Sequence, residues 1–181
     1  MLFAHVVVAL EDAALDADLL GEALHLEMRH TSYNDFMSNV DVVRELYAAF
    51  SRRDMNAILA MLSPDVAFSE PENPFNPTAG TRRGHAGFLE WARIGRDAED
   101  IEELDVQRLL QSEECVAVVG HMRCRAKNTG KGYESDFVHL VTLREGKIVS
   151  FQEFFDTCAA GEAFRRQVSA HRCAAATRAN G

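Results

Sequence analysis

Three side chains have the type and setting to move a proton: His139, Glu153 and Glu70. Two of them lie in the stretch Ser135 to Asp156, SDFVHLVTLREGKIVSFQEFFD. Two apolar, β-branched and aromatic runs flank Arg144-Glu145-Gly146, and Gly146 can supply the positive φ of a tight turn, so the stretch predicts a β-hairpin. Alternate side chains of a strand point to opposite faces. Phe137, His139, Val141 and Leu143 then share one face, and Phe151, Glu153 and Phe155 share another. His139 and Glu153 each interrupt an apolar row, where a titratable group must find a partner or shift its pKa. The turn puts Glu153 opposite or diagonal to His139, within hydrogen-bond reach. A carboxylate there would fix the imidazole tautomer and raise its pKa, leaving the other nitrogen for acid–base work. The competing reading is a buried pair with a purely structural role. Glu70 ends a short strand, VAFSE, at the edge of a loop. In an apolar pocket its pKa would rise toward neutrality, as a proton-shuttling base requires; on a rim it would be an ordinary hydrated carboxylate.

Helices and strands must position these groups. Asn39 or Asp41 can cap a helix running to about Arg52, with Val42, Val43, Leu46, Tyr47, Ala49 and Phe50 as its apolar stripe. Asp54 caps a second helix, Met55 to Leu62, which Ser63-Pro64-Asp65 stops. The strand Val66 to Glu70 follows. Pro71 to Gly84 reads as a loop, with three prolines and two glycines. His85 to Arg96 is a third helix, and the acidic run Asp97 to Glu103 is a solvated turn. Strands then cover Asp105 to Gln111 and Cys115 to Ala126, with a turn at Asn128 to Gly132 before the hairpin. Ala159 to Arg172 predicts a last helix, and Ala174 to Gly181 a frayed tail. The order is α+β: helices on one face of a strongly bent, mostly antiparallel sheet, curled into a cone with an open mouth. Trp91, Phe88, Met122, Phe151 and Phe155 are candidates to line the apolar pocket, with core packing as the alternative, and Tyr47 stands between core and pocket. The outer sheet face offers a homodimer surface.

The first 36 residues look unlike the rest. Glu11 to His30 has the formers and loose stripe of an amphipathic helix, and Met37 opens a segment that looks like an ordinary start. Residues 1–36 are therefore either a genuine extension or the product of a start-site error. The apolar run at the N-terminus lacks a basic leader, so no signal peptide is expected, and no run is long enough to span a bilayer.

At 181 residues the chain is expected to form one main domain, over 37–158, with 159–181 as helix and tail. A net charge of -9 argues against nucleic acid and anionic membranes as partners. Cys115, Cys124, Cys158 and Cys173 form no C-x-x-C pair and no zinc-spaced cluster with histidine, so they read as reduced, structural thiols of a cytoplasmic protein, with no metal.

The helix pair with RRDMNAILAMLSPDV, the strand VAFSEP, the loop and helix TAGTRRGHAGFLEW, and the hairpin VHLVTLREGKIVSFQEFFDT together resemble the nuclear transport factor 2-like superfamily, in its SnoaL-like and ketosteroid isomerase-like branch. The resemblance spans about residues 39 to 158. It implies the cone fold and a cofactor-independent pocket protein. In the steroid isomerases a carboxylate base precedes a proline on the first strand, and Glu70-Pro71 matches. A second acid on the final hairpin donates to the developing oxyanion, and His139 takes that place. A tyrosine on the first helix is the other donor. Leu46 stands there, with Tyr47 one residue and about 100° of helix rotation further on. Two altered roles of three argue against steroid isomerisation itself. The resemblance therefore implies proton transfer on a hydrophobic carbonyl compound, as an isomerase, cyclase or dehydratase. The alternatives are a non-catalytic carrier of an apolar ligand and a dimerising module with a filled core.

Overall fold

The computed structural model describes residues 37–166. The expected helix at 11–30, the origin of residues 1–36 and the tail at 174–181 lie outside the described residues.

Helix α1 spans Asn39–Arg52 and is capped one residue earlier than expected, by Ser38, whose hydroxyl accepts from the Asp41 amide. Arg53, at φ 63°, ends it in the left-handed conformation. Asp54 then caps α2, Met55–Met61, by accepting from the Ala57 amide. The chain passes without a turn into β1, Leu62–Glu70. Pro64 does not end the helix; it sits in the part of β1 where the pairing register slips, between Leu62 and Ala67, which is where a strand tolerates proline.

The expected loop holds a short strand, β2, Gly80–Arg83, antiparallel to β1 with Glu70 opposite Gly80. Helix α3 covers Gly84–Ala98. Strand β3, Glu99–Gln111, starts six residues before the expected Asp105, so the acidic run is no solvated turn: Asp97 and Ala98 close α3, and Glu99 to Glu103 open the strand. Two bulges, at Ile101/Glu103 and Val106/Arg108, interrupt its pairing with β4. They shift the inward positions from Glu99 and Ile101 to Leu104 and Val106, which hides the period-two signal in the sequence.

Strands β4, Cys115–Ala126, β5, Gly132–Arg144, and β6, Lys147–Phe154, complete the expected meander. The final hairpin turns on two residues, Glu145 and Gly146, both at positive φ, between the paired Arg144 and Lys147. Helix α4, Thr157–Phe164, starts two residues earlier than expected and ends at Phe164, where Arg165 turns to an extended conformation, short of the expected Arg172; residues 167–172 lie outside the described residues. The sheet order is β2-β1-β6-β5-β4-β3, parallel only between β1 and β6.

The sheet curls around α1, α2 and α3, as the α+β cone requires. Leu46, Ile58, Leu59 and Phe88 from the helices pack against Val116, Phe137 and Ile148 from the sheet, all but fully buried. On the outer face Arg123 and Arg125 pair with Glu102 and Glu103 of β3 rather than with Glu134 and Asp136, which His121 takes instead.

Candidate active site

The cone encloses a cavity of about 150 Å³. Of the residues proposed from sequence, Glu70, His139, Glu153, Tyr47, Trp91, Met122, Phe151 and Phe155 line it. Phe88 does not. It lies in the layer behind, against Phe50, Phe68 and Trp91, because its position on α3 points into the helix–sheet core.

Glu70 is held at the end of β1 by the adjoining loop and by α3. Its Oε2 accepts from Asn76 Nδ2 at 3.0 Å and Thr78 Oγ1 at 2.8 Å, and its Oε1 accepts from the Trp91 indole N–H. The Thr78 amide donates to Asn76 Oδ1, which fixes the orientation of that side-chain amide. Burial pushes the Glu70 pKa up, while the three donors and the Arg82 charge hold the rise in check. Thr78 Oγ1 also lies 2.7 Å from Asn76 Oδ1. The single hydroxyl proton can therefore point at Glu70 when the carboxylate is ionised, or at Asn76 when Glu70 itself carries a proton to donate. The site accommodates both protonation states with one hydroxyl rotation. Sequence reasoning found Glu70 but missed Asn76 and Thr78, since a loop without periodicity gives no facing signal.

His139 and Glu153 are directly paired across β5 and β6, the first of the two expected placements, and a one-residue register shift between Thr142 and Leu143 sets them so. Phe137 stacks on the imidazole at 4.3 Å between centroids and Phe151 tilts against it at 5.0 Å. Tyr47 reaches it as well: the phenol oxygen is 2.5 Å from Nδ1, with the two rings parallel to within 9°. The extra residue of rotation along α1 thus brings Tyr47 into the cavity.

The expectation that Glu153 raises the His139 pKa is overturned. Burial dominates and pushes it down to about 3, so the imidazole is neutral. Burial, with the charges of Glu70 and Glu99, pushes Glu153 well above the usual carboxyl range, so it keeps its proton. Its Oε1 stands 3.7 Å from His139 Nε2, too far for a hydrogen bond. Tyr47, also raised by burial, keeps its proton; in the tautomer where its hydroxyl donates to Nδ1, the imidazole proton lies on Nε2. The result is a neutral row of donors, not an ion pair.

A third carboxyl, Glu99, was missed. It lines the same cavity and accepts from the Tyr133 hydroxyl at 2.7 Å. Among the described residues no group of three or more His, Cys, Asp or Glu is placed to hold a metal, and no helix is long and apolar enough to cross a membrane.

An α+β cone whose helices close on a lined, partly polar cavity defines the nuclear transport factor 2-like class of fold. The SnoaL-like domain family matches residues 43–151, more than half of the chain, and the protein belongs to that family. The chain is similar to a nuclear transport factor 2-like protein of Burkholderia xenovorans LB400, 31% identical, with a TM-score of 0.66 over 70% of this chain and 95% of that one. It is also similar to TerC, which was co-crystallized with polyporic acid: 29% identical, TM-score 0.61, covering 70% of this chain and 97% of TerC. A Mycobacterium tuberculosis protein is 28% identical over 130 residues, 70% of this chain and 95% of that protein.

Proposed function

We infer that the protein binds a hydrophobic, carbonyl-bearing small molecule in the cone and transfers a proton at the carbon beside the carbonyl. The observation that carries this reading is the Glu70 setting: a buried carboxyl facing an aromatic-lined cavity, with partners that suit it with or without a proton. Glu70 is the base. The enolate oxygen that develops as the C–H proton leaves is met by the neutral row, where Glu153 has a proton to donate and, among the described residues, no hydrogen-bond partner. His139, locked by Tyr47, presents Nε2–H beside it. Proton return to a different carbon gives isomerisation. Attack of the enolate carbon on a second carbonyl gives cyclisation, and expulsion of a β-hydroxyl gives dehydration. TerC's co-crystallization with an organic acid supports a small organic molecule as occupant.

The second reading, a non-catalytic carrier, draws on the same triad of donors, since a carboxylate so fully bonded also serves as a fixed polar anchor. We carry the homodimer as a proposal too, through the outer face, where Leu110 and Phe154 are exposed. A cytoplasmic setting is proposed from the free thiols of Cys115, Cys124 and Cys158.

The test is α-proton exchange. α-Tetralone in D₂O, followed by proton NMR, should lose its α-hydrogens faster with protein than in buffer. Glu70→Gln should slow the protein-dependent rate by about two to four orders of magnitude. Binding without exchange would leave the carrier reading in place and remove the catalytic one.

A further inference from the structure

The cavity has a second polar end that proton transfer at Glu70 does not use. Glu99 opens β3 and Tyr133 stands near the start of β5, and both line the cavity. Glu99 pairs with Ala126 on β4, while Tyr133 pairs with Cys124, two residues along the same strand. Alanine's small side chain leaves the space through which the carboxyl and the phenol meet. Behind Tyr133 the ring of Phe164 packs at 6.4 Å, and α4 is fastened there by Asn128 and Thr129, which donate to the Phe164 and Ala163 carbonyls. The pair is therefore built into the wall. Tyr133 occupies Glu99 Oε2, and among the described residues no other hydrogen bond reaches the carboxyl, so Oε1 is left for a ligand. Tyr133 and His139 share a face of β5 six residues apart, and across the bend of the sheet Glu99 stays within electrostatic reach of Glu70 and Glu153. Met122, Ile101 and Leu104 supply apolar wall to the same cavity.

We propose that the Glu99–Tyr133 pair binds a second oxygen function of the ligand, so that the substrate class is an elongated, mostly apolar ketone carrying a hydroxyl at its far end. This deepens the proton-transfer reading and rests on the same cavity. The ketone oxygen lies with Glu153 and His139, the enolisable carbon with Glu70, and the distal O–H donates to Glu99 Oε1. The contact strengthens when Glu99 is ionised. Burial holds its pKa at about 7, with Glu70 and Asp100 raising it and Tyr133 and Lys127 lowering it. Glu153 from β6, His139 from β5, Cys124 from β4, Arg96 from α3, Tyr47 from α1 and Arg53 at its end also line the cavity.

Trp91 lines the cavity and is the chain's single tryptophan, so one indole N–H signal reports occupancy. The probes are α-tetralone and the same ketone bearing a phenolic hydroxyl para to the carbonyl. At neutral pH the hydroxylated probe should bind about tenfold tighter, the value of one charge-assisted hydrogen bond. The advantage should grow as pH rises through 7, below the phenol's own ionisation. In the double variant Glu99→Leu with Tyr133→Phe, which removes both polar partners together, the ratio should fall to about one. Glu99→Gln, which keeps shape and the Tyr133 contact, should leave about threefold and no pH dependence. Equal affinities in the parent, or an advantage that survives the double variant, overturns the proposal while Glu70-dependent exchange of α-tetralone still stands. If neither probe moves the indole signal, this proposal and the ligand-binding reading fall together.

Discussion

Glu70 and Glu153 are the same residue type on neighbouring strands of one cavity, Glu70 buried and Glu153 mostly so, yet the protein treats them oppositely. Glu70 receives three donors from a loop and a helix. Glu153 receives none among the described residues and faces the charges of Glu70 and Glu99. A buried carboxyl needs hydrogen bonds to hold a charge, and without them it holds its proton. The distribution of donors, more than the placement of carboxyls, therefore sets which of the two holds a charge and which a proton, the division that the proposed base and acid roles rest on.

Removing each carboxyl tests that contrast most strongly. Glu70→Leu strands the Trp91 indole N–H and an Asn76 N–H, since Thr78 can still turn to Asn76 Oδ1. At about 1–3 kcal/mol for each unsatisfied buried donor, the loss of unfolding free energy in urea should be about 2–6 kcal/mol. Glu153→Leu strands nothing and should stay within about 1 kcal/mol of the parent, or exceed it. Equal losses would mean that Glu153 has a hydrogen-bonded partner and that the contrast is false.

Glu99 stands between the two, with one donor and a pKa of about 7. Its folded pKa lies above its unfolded value, so the native state binds the proton more tightly. That contribution is complete below about pH 4.5 and is lost as pH rises through 7. His139 works in the other sense: its folded pKa is depressed to about 3, so stability falls as the unfolded imidazole gains its proton below about pH 6.5. Between pH 5 and 8 the parent should therefore lose more stability than Glu99→Gln, by on the order of 2–3 kcal/mol. Parallel pH profiles would show that Glu99 is hydrated rather than buried.

How much of this was legible in the sequence follows from which signals are local. The hairpin and its turn were legible from alternation and Gly146, but its register was not: Glu153 was expected opposite or diagonal to His139, and it is the one-residue shift at Thr142/Leu143 that sets the two directly opposite. Glu70 at a strand end before Pro71 was legible through the family pattern. The His139 protonation state was not, because the strand pattern shows the neighbouring carboxyl but not how completely Phe137, Phe151 and Tyr47 exclude water from the ring. Glu99 was not legible either. Its inward facing depends on the bulges in β3, and an acidic run with broken alternation looks like a surface turn. Asn76 and Thr78 needed the tertiary path of a loop.

The smallest test sharpens the contrast at the neutral row. Tyr47→Phe removes the O–H that satisfies His139 Nδ1 and leaves the ring stacking in place. A single hydrogen bond is lost in a site with a cavity beside it, so the stability change should be about 1 kcal/mol. The chemical change is larger than the energetic one, because nothing then assigns the imidazole proton to Nε2. Nitrogen-15 shifts of His139 should move from an Nε2–H pattern toward a mixture of tautomers, while the ring stays neutral from pH 5 to 8. Half-exposed His121, its pKa raised by the Asp136 contact, serves as an internal control that titrates in the same spectra. A His139 signal that titrates alongside His121 would mean the row is charged, and the oxyanion would then be met by an imidazolium rather than by neutral donors.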